Sequence, residues 1–211
     1  YVDALMIRTF GHDIVETLAA HGTIPIINGL TDLHHPCQVL ADLLTIEETF
    51  GTRAGKILTY IGDGNNMAHS LMIGGALSGM EIRICTPAAY APDPQVVHQA
   101  QVIAKETGGN IVVLTSPEEA TSGVDVVYTD VFASMGQEEE ATMRLQAFEG
   151  YQVNADIMNQ ASDEAIFLHC LPAHRGEEVA ADVIDGKQSV IFDQAENRLH
   201  AQKALLVTLM G

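Results

Sequence analysis

An α/β protein built on parallel sheet is what the 211-residue sequence predicts, and three observations point there. Short apolar runs bounded by turn residues recur at 4–9, 24–28, 57–61, 82–85, 111–114, 125–129 and 166–169. Most are separated by segments long enough for a helix, the kind of crossover that parallel strands require. Helix starts are also marked chemically: Ser116-Pro117-Glu118-Glu119 and Asp193-Gln194-Ala195-Glu196 each set an oxygen-bearing N-cap three residues before a Glu.

Taken in order, Ala4-Leu5-Met6-Ile7 is the first strand, with Arg8 at its end, and the run at 24–28 is the second. Residues 36–50 carry Val39, Leu40, Leu43, Leu44 and Ile46 on a helical stripe, and Gly51-Thr52-Arg53-Ala54-Gly55 stops it. A domain boundary is expected at that breaker: before it lie two strands and a helix, after it a nearly complete alternating set. Residues 195–210 form a last helix, expected to pack back on the first part. No repeat or low-complexity tract interrupts the pattern. The chain begins without Met and almost at once inside a strand-like run, so upstream material is expected.

Composition narrows the function. A hydrophobic content of 47% supports a sizeable core, and no apolar run nears the roughly 20 residues of a membrane span. The N-terminus carries no signal-like pattern, and three widely spaced cysteines favour a reducing cytoplasm over a disulfide framework or a structural zinc site. Ten Lys and Arg against 28 Asp and Glu repel a polyanion, which argues against nucleic acid. An anionic ligand must find a local cationic pocket.

Several groups could make one. His35-Pro36-Cys37-Gln38 opens a helix whose free N–H groups and dipole suit an anion or a carbonyl oxygen, with His35 and Gln38 able to point donors into it. The plainer reading is a capped helix start. Arg8 ends an apolar strand at the edge where open parallel sheets bind ligands, and so calls for a phosphate or an acidic partner; a structural ion pair is the alternative. Arg198 is expected in the first turn of the last helix, where a cation opposes the dipole and a bound anion would offset the cost.

Gly62-Asp63-Gly64-Asn65-Asn66 follows a strand and opens a helix but lacks the G-x-G-x-x-G spacing, which leaves a polar small-molecule contact or a structural turn. Asp130 sits at a strand's C-terminal edge, suited to gripping an ammonium group. Ser134-Met135-Gly136-Gln137 follows, and Glu138, Glu139 and Glu140 read as a helix start capped by Ser134. His169-Cys170-Leu171-Pro172 ends another strand, where Cys170 is either a buried apolar residue or a polarizable active-site thiol. Neither a Ser/His/Asp triad nor a metal-ligand cluster is evident.

In order and spacing, His35-Pro36-Cys37-Gln38, Gly62-Asp63-Gly64-Asn65-Asn66, Asp130 with Ser134-Met135-Gly136, His169-Cys170-Leu171-Pro172 and Ala195-Glu196-Asn197-Arg198 resemble the motifs of ornithine carbamoyltransferases. The similarity runs through the whole chain, and Ala173-His174-Arg175-Gly176-Glu177-Glu178 resembles a bacterial member.

The resemblance implies two parallel-sheet α/β domains of the aspartate/ornithine carbamoyltransferase type, the first incomplete. Residues 1–50 would be the remainder of the carbamoyl phosphate domain with its linking helix, 51–193 the ornithine domain, and 194–211 a helix packing back on the first. Carried over by position, Arg8, His35, Gln38, Cys170, Leu171 and Arg198 would contact carbamoyl phosphate. Asn66, Asp130, Ser134 and Met135 would hold ornithine, and His35, Asp130, Cys170 and Arg198 would be the catalytic set. No metal or organic cofactor is implied, and a cytoplasmic trimer serving arginine biosynthesis is.

The family's phosphate-gripping Ser-Thr-Arg-Thr-Arg stretch is absent, so the chain alone is expected to be inactive. A non-catalytic fragment that binds an amino acid, or a sister transferase with another amine acceptor, stays open as an alternative.

Overall fold

The computed structural model describes residues 1–133 and 140–211. It opens with strand β1 (Leu5–Arg8), helix α1 (His12–His21), strand β2 (Ile26–Leu30) and helix α2 (Pro36–Phe50). Alternation continues with β3 (Ile57–Ile61), α3 (Asn66–Leu77), β4 (Glu81–Cys85), α4 (Pro94–Thr107), β5 (Asn110–Leu114), α5 (Pro117–Thr121) and β6 (Val126–Thr129). Short helices α6 (Ala141–Ala147), α7 (Ala155–Met158) and α8 (Ala181–Ile184) surround β7 (Ile166–His169), and α9 (Ile191–Met210) ends the chain.

All strand pairings are parallel: β1 with β2 in one small sheet, and β5-β4-β3-β6-β7 in another. Every predicted strand run thus overlaps a strand, with β2 shifted two residues onward from the run at 24–28. The pleat divides the larger sheet into two cores. Leu58, Tyr60, Val126, Tyr128, Ile166 and Leu168 face α2, α3 and α4, whereas Ile61, Val127 and Phe167 face α7 and α8. Buried on both faces, these strands read as continuous apolar runs rather than alternating ones.

Helix α2 spans the predicted residues because Pro36 suits its first turn and Gly51, at φ 72°, supplies the left-handed C-cap whose N–H bonds the Glu47 carbonyl. Val39, Leu43 and Ile46 of the predicted stripe are buried, while Leu40 is exposed. The Ser116 cap holds too: its hydroxyl accepts the Glu119 N–H.

The last helix departs from expectation. It starts at Ile191, not Ala195, and its N-cap is Val190, which makes no side-chain cap, so Asp193 lies inside the helix instead of capping it. Burial of Ile191 and Gln194 against β7 and α2 extends the helix past the polar signal, a case of tertiary packing overriding local chemistry. Arg198 therefore stands two turns inside the helix, and the dipole argument for an anion there does not apply. Helix α9 does pack on α2, through Asn197, whose amide donates to Thr45 Oγ1 (3.0 Å) and Glu48 Oε2 (2.7 Å). Helix α6 begins just after Glu140; the Ser134 cap lies outside the described residues.

Candidate active site

The larger sheet runs outward from β3 to β5 on one side and through β6 to β7 on the other, so its topological switch point lies between β3 and β6. Ligand crevices form beyond the carboxyl ends of strands at such a point. A cavity of about 470 Å³ opens there, between the small sheet and the larger one. Arg8, Thr31 and His35 line one side; Asn65, Asn66, Asp130, Cys170 and Leu171 line the other, with Arg198 reaching in from α9.

The two sides are braced at the starts of two helices. His35 precedes α2, and its N–H donates to Ser70 Oγ (2.7 Å), whose hydroxyl donates to the Asn66 carbonyl (2.8 Å). The Asn66 amide donates to the Thr31 carbonyl (2.7 Å), closing the brace. Asn65 caps α3 by accepting the Met67 and Ala68 N–H groups on Oδ1, which leaves its NH₂ to donate to Asp130 Oδ2 at 3.2 Å. His69 adds a fixed tautomer: Nε2 accepts the Asp93 N–H, so Nδ1 must carry the proton given to the Leu33 carbonyl.

His35 is buried, and its Nδ1 has no hydrogen-bond partner among the described residues. Burial first, then the nearby Arg198 and Arg8, lower its pKa to about 4, so the ring is neutral at pH 7. A neutral imidazole there can donate one hydrogen bond to a ligand oxygen. Arg198 Nη1 donates to Gln38 Oε1 at 2.6 Å. The Gln38 amide nitrogen donates to Asp42 Oδ1 (2.9 Å), so both ends of the amide are engaged and Gln38 stands behind the cavity wall.

Opposite these cations, Asp130 is 6% exposed and accepts from the Val131 N–H (2.8 Å), Cys170 Sγ (3.1 Å) and Asn65. It joins no ion pair among the described residues. Burial, then the Asp130 charge, pushes the Cys170 thiol well above its ordinary value. Cys170 is thus a neutral S–H donor here, unsuited to act as a thiolate nucleophile. Ser134 and Met135 lie outside the described residues.

Behind Cys170, Leu171 adopts φ 55°, in the left-handed region that is costly for a residue with a Cβ. Its N–H donates to His169 Nδ1 (2.9 Å), so His169 Nε2 carries the proton shared with the fully buried Glu178 (3.2 Å). Both residues stand in motifs named from the sequence, but their pairing was not, because nothing local to Glu178, beside the exposed Glu177, signals its burial. His174, Glu177 and Glu178 offer ligand atoms within 4.8 Å of one another; Glu178 Oε1 accepts from His169 and from the His174 N–H, while its Oε2 is buried with no hydrogen-bond partner among the described residues.

The Gly62–Asn66 turn has a cavity-facing part and a structural part. Asn65 and Asn66 face the cavity, whereas Gly64 is structural: a Cβ there would lie 2.3 Å from Pro92 N and 2.5 Å from the Tyr90 carbonyl oxygen. Asp63 turns away to a buried ion pair with Arg144 at 2.8 Å.

Comparison with known proteins gives one answer. The family model described as the aspartate/ornithine carbamoyltransferase Asp/Orn-binding domain matches residues 54–209, and that of the carbamoyl-P-binding domain matches residues 1–48. The ornithine carbamoyltransferase of Symbiobacterium thermophilum is 60% identical over 211 residues, covering 100% of this chain and 68% of that protein; that of Oceanobacillus iheyensis is 58% identical, covering 100% and 66%. The solved ornithine carbamoyltransferase of Pyrococcus furiosus superposes with a TM-score of 0.96 at 54% identity, covering 100% of this chain and 67% of that one. The one from Gloeobacter violaceus gives 0.93 at 54%, covering 100% and 71%. The chain spans about two thirds of the length of the curated relatives it matches.

Proposed function

The chain belongs to the aspartate/ornithine carbamoyltransferase family, and from that premise we propose that it serves as an ornithine carbamoyltransferase, making citrulline and phosphate from carbamoyl phosphate and ornithine. One observation carries the reading: a single cavity has Arg8, Arg198 and neutral His35 at one side and the buried carboxylate of Asp130, with Cys170, at the other. An anion and an ammonium-bearing molecule can meet there.

The unprotonated side-chain amine of ornithine attacks the carbamoyl carbon. A C–N bond forms, the bond from that carbon to the phosphate oxygen breaks, and the amine proton leaves with the phosphate. Arg8 and Arg198 neutralise the departing anion, and His35 donates to the carbonyl oxygen as negative charge grows on it. Asn66 and Asp130 hold ornithine, with Ser134 and Met135 assigned to it by position in the motif. Cys170 and Leu171 lie where the two substrates meet. Gln38, assigned to carbamoyl phosphate, acts by aiming Arg198. Catalysis is then mainly positioning and electrostatics, with no cofactor called on.

The same reading assigns residues 1–50 to the carbamoyl phosphate side with its linking helix, 51–193 to the ornithine side and 194–211 to the returning helix. It also makes the enzyme a cytoplasmic homotrimer or a multiple of trimers in arginine biosynthesis. No helix among the described residues is long and apolar enough to cross a membrane.

The test is citrulline release from carbamoyl phosphate with ornithine, run beside putrescine, aspartate and acylated ornithine. Turnover with ornithine foremost supports the proposal, and preference for another amine replaces it with a sister activity. Ornithine binding in calorimetry without turnover would favour an amino-acid-binding role instead.

A further inference from the structure

Two fully buried polar side chains, Asp42 on α2 and Gln194 on α9, have no place in the site as assigned. Asp42 Oδ1 accepts the amide N–H groups of Gln38 (2.9 Å) and Gln194 (2.7 Å). Gln194 in turn accepts the His169 N–H on Oε1 (2.9 Å) and reaches the Tyr128 hydroxyl with Nε2 (3.2 Å). Together with the Arg198 to Gln38 bond, this makes an unbroken path from Arg198 through Gln38, Asp42 and Gln194 to the backbone of His169, the residue before Cys170.

We propose that Asp42 and Gln194 are positioning residues for carbamoyl transfer: they tie the helix that aims Arg198 to the strand end that carries Cys170, so that the phosphate side and the amine side of the cavity keep one spacing. The proposal rests on the carbamoyltransferase reading of the site.

The chemistry of each link favours that role. An amide such as Gln38 can be reversed end for end at little steric cost, but here it lies between a guanidinium, which only donates, and a carboxylate, which when ionised only accepts. Only one orientation satisfies both. The interposed amide has a second effect. A carboxylate touching Arg198 directly would neutralise the charge that a phosphate must meet, whereas a neutral amide fixes the guanidinium and leaves its charge for the ligand.

Gln194 stands four residues before Arg198, on the same face of α9, so anchoring one orients the other. The network is not optimised for stability: Asp42 Oδ2 and Arg198 Nε are buried with no hydrogen-bond partner among the described residues. Apolar side chains would fill this space at lower desolvation cost. A misplacement of about 1 Å at a reacting centre can cost about a hundredfold in rate, which is reason enough to hold such a path.

The test compares Asp42→Leu, Asp42→Asn and Gln194→Met with wild type in the whole enzyme, using steady-state citrulline formation and calorimetric titration with inorganic phosphate. Met nearly conserves the volume of Gln, and the Asn carbonyl can accept the same two amide N–H groups. Asp42→Leu and Gln194→Met are expected to weaken phosphate at least tenfold and to lower kcat, with the KM for ornithine within threefold of wild type. Asp42→Asn should recover most of the phosphate affinity, which a merely space-filling role would not produce.

A folded Asp42→Leu or Gln194→Met enzyme with phosphate affinity and kcat within twofold of wild type overturns the proposal, as does an Asp42→Asn enzyme no better than Asp42→Leu. If Asp42→Leu does not fold, Gln194→Met and Asp42→Asn decide. Wild type that makes no citrulline sinks the carbamoyltransferase reading, while the phosphate titrations still report on the path.

Discussion

Replacing Asp130 by Asn tests the amine side of the site most directly, because the structure fixes what the amide would meet. The carboxylate accepts three donors, from Val131, Cys170 and Asn65, and has no cation beside it among the described residues. Its charge is left for a ligand. In Asp130→Asn the amide oxygen can keep the Val131 N–H and the Cys170 thiol, but its NH₂ then faces the Asn65 NH₂ across 3.2 Å. Asn65 cannot turn over to accept, since its Oδ1 already caps Met67 and Ala68.

The substitution therefore removes a charge-assisted bond to the ammonium, worth about 2–5 kcal/mol when one partner of a buried charged pair is cut. The donor-to-donor contact adds about 1 kcal/mol of lost stability. Taking about 3 kcal/mol for binding, kcat/KM for ornithine should fall roughly 150-fold. Inorganic phosphate affinity, set on the other side of the cavity, should stay within threefold. Initial rates of citrulline formation across an ornithine series read the first quantity and calorimetry the second. An Asp130→Asn enzyme whose kcat/KM for ornithine lies within fivefold of wild type would refute the assignment of Asp130 to the amine.

Further predictions concern stability. His35, held to about 4 against the ordinary 6.5 of an unfolded histidine, refuses a proton that the unfolded chain accepts, so its contribution is intact above pH 6.5 and falls away as pH drops toward 4. Urea unfolding of wild type should lose about 2 kcal/mol more between pH 7 and pH 5 than that of His35→Gln; equal losses would contradict this. Gly64→Ala should cost about 2 kcal/mol, because the new methyl meets backbone of residues 90–92 that cannot swing aside, and an unchanged urea midpoint would show that it can. Asp63→Ala should cost about 3 kcal/mol by leaving the buried Arg144, among the described residues, with Glu140, the Phe132 carbonyl and the Tyr90 ring. The double variant Asp63→Ala with Arg144→Met should recover part of that loss in thermal melts.

The elements legible in the sequence were those whose signal is local. The seven apolar runs each overlap a strand; for β3, β6 and β7 the cause is burial along the whole or nearly the whole strand, whereas β1 keeps Leu5 and Met6 exposed, and Pro36 with Gly51 bounded α2 by backbone geometry alone. Arg8, His35, Asp130 and Cys170, singled out separately in the sequence, line one cavity because strand ends and helix starts in an α/β fold converge on one edge.

Signals that failed were those decided by distant partners. Asp193 offered a good cap, yet the docking of Ile191 and Gln194 moved the start of α9 and with it the setting of Arg198. The engagement of both ends of the Gln38 amide, by Asp42 one turn on in α2 and by Arg198 on α9, was not legible either, because the Arg198 partner lies 160 residues away. Asn65 was overlooked beside Asn66 because one caps and the other braces, a difference of rotamer and not of residue type.

The docking of α9 on α2 also bears on the order of events during folding. Its bonds join residues 149, 152 and 160 positions apart, so none can form until the whole of the larger sheet has been synthesised. Closing so long a loop has an entropic cost that no local contact offsets in advance, so the α/β layers can assemble on their own while this helix must wait. The cationic side of the cavity is consequently completed only when α9 has emerged from the ribosome and docked. Until then the nascent protein has a sheet, a core, the carboxylate of Asp130 and Arg8, but not the second guanidinium, that of Arg198.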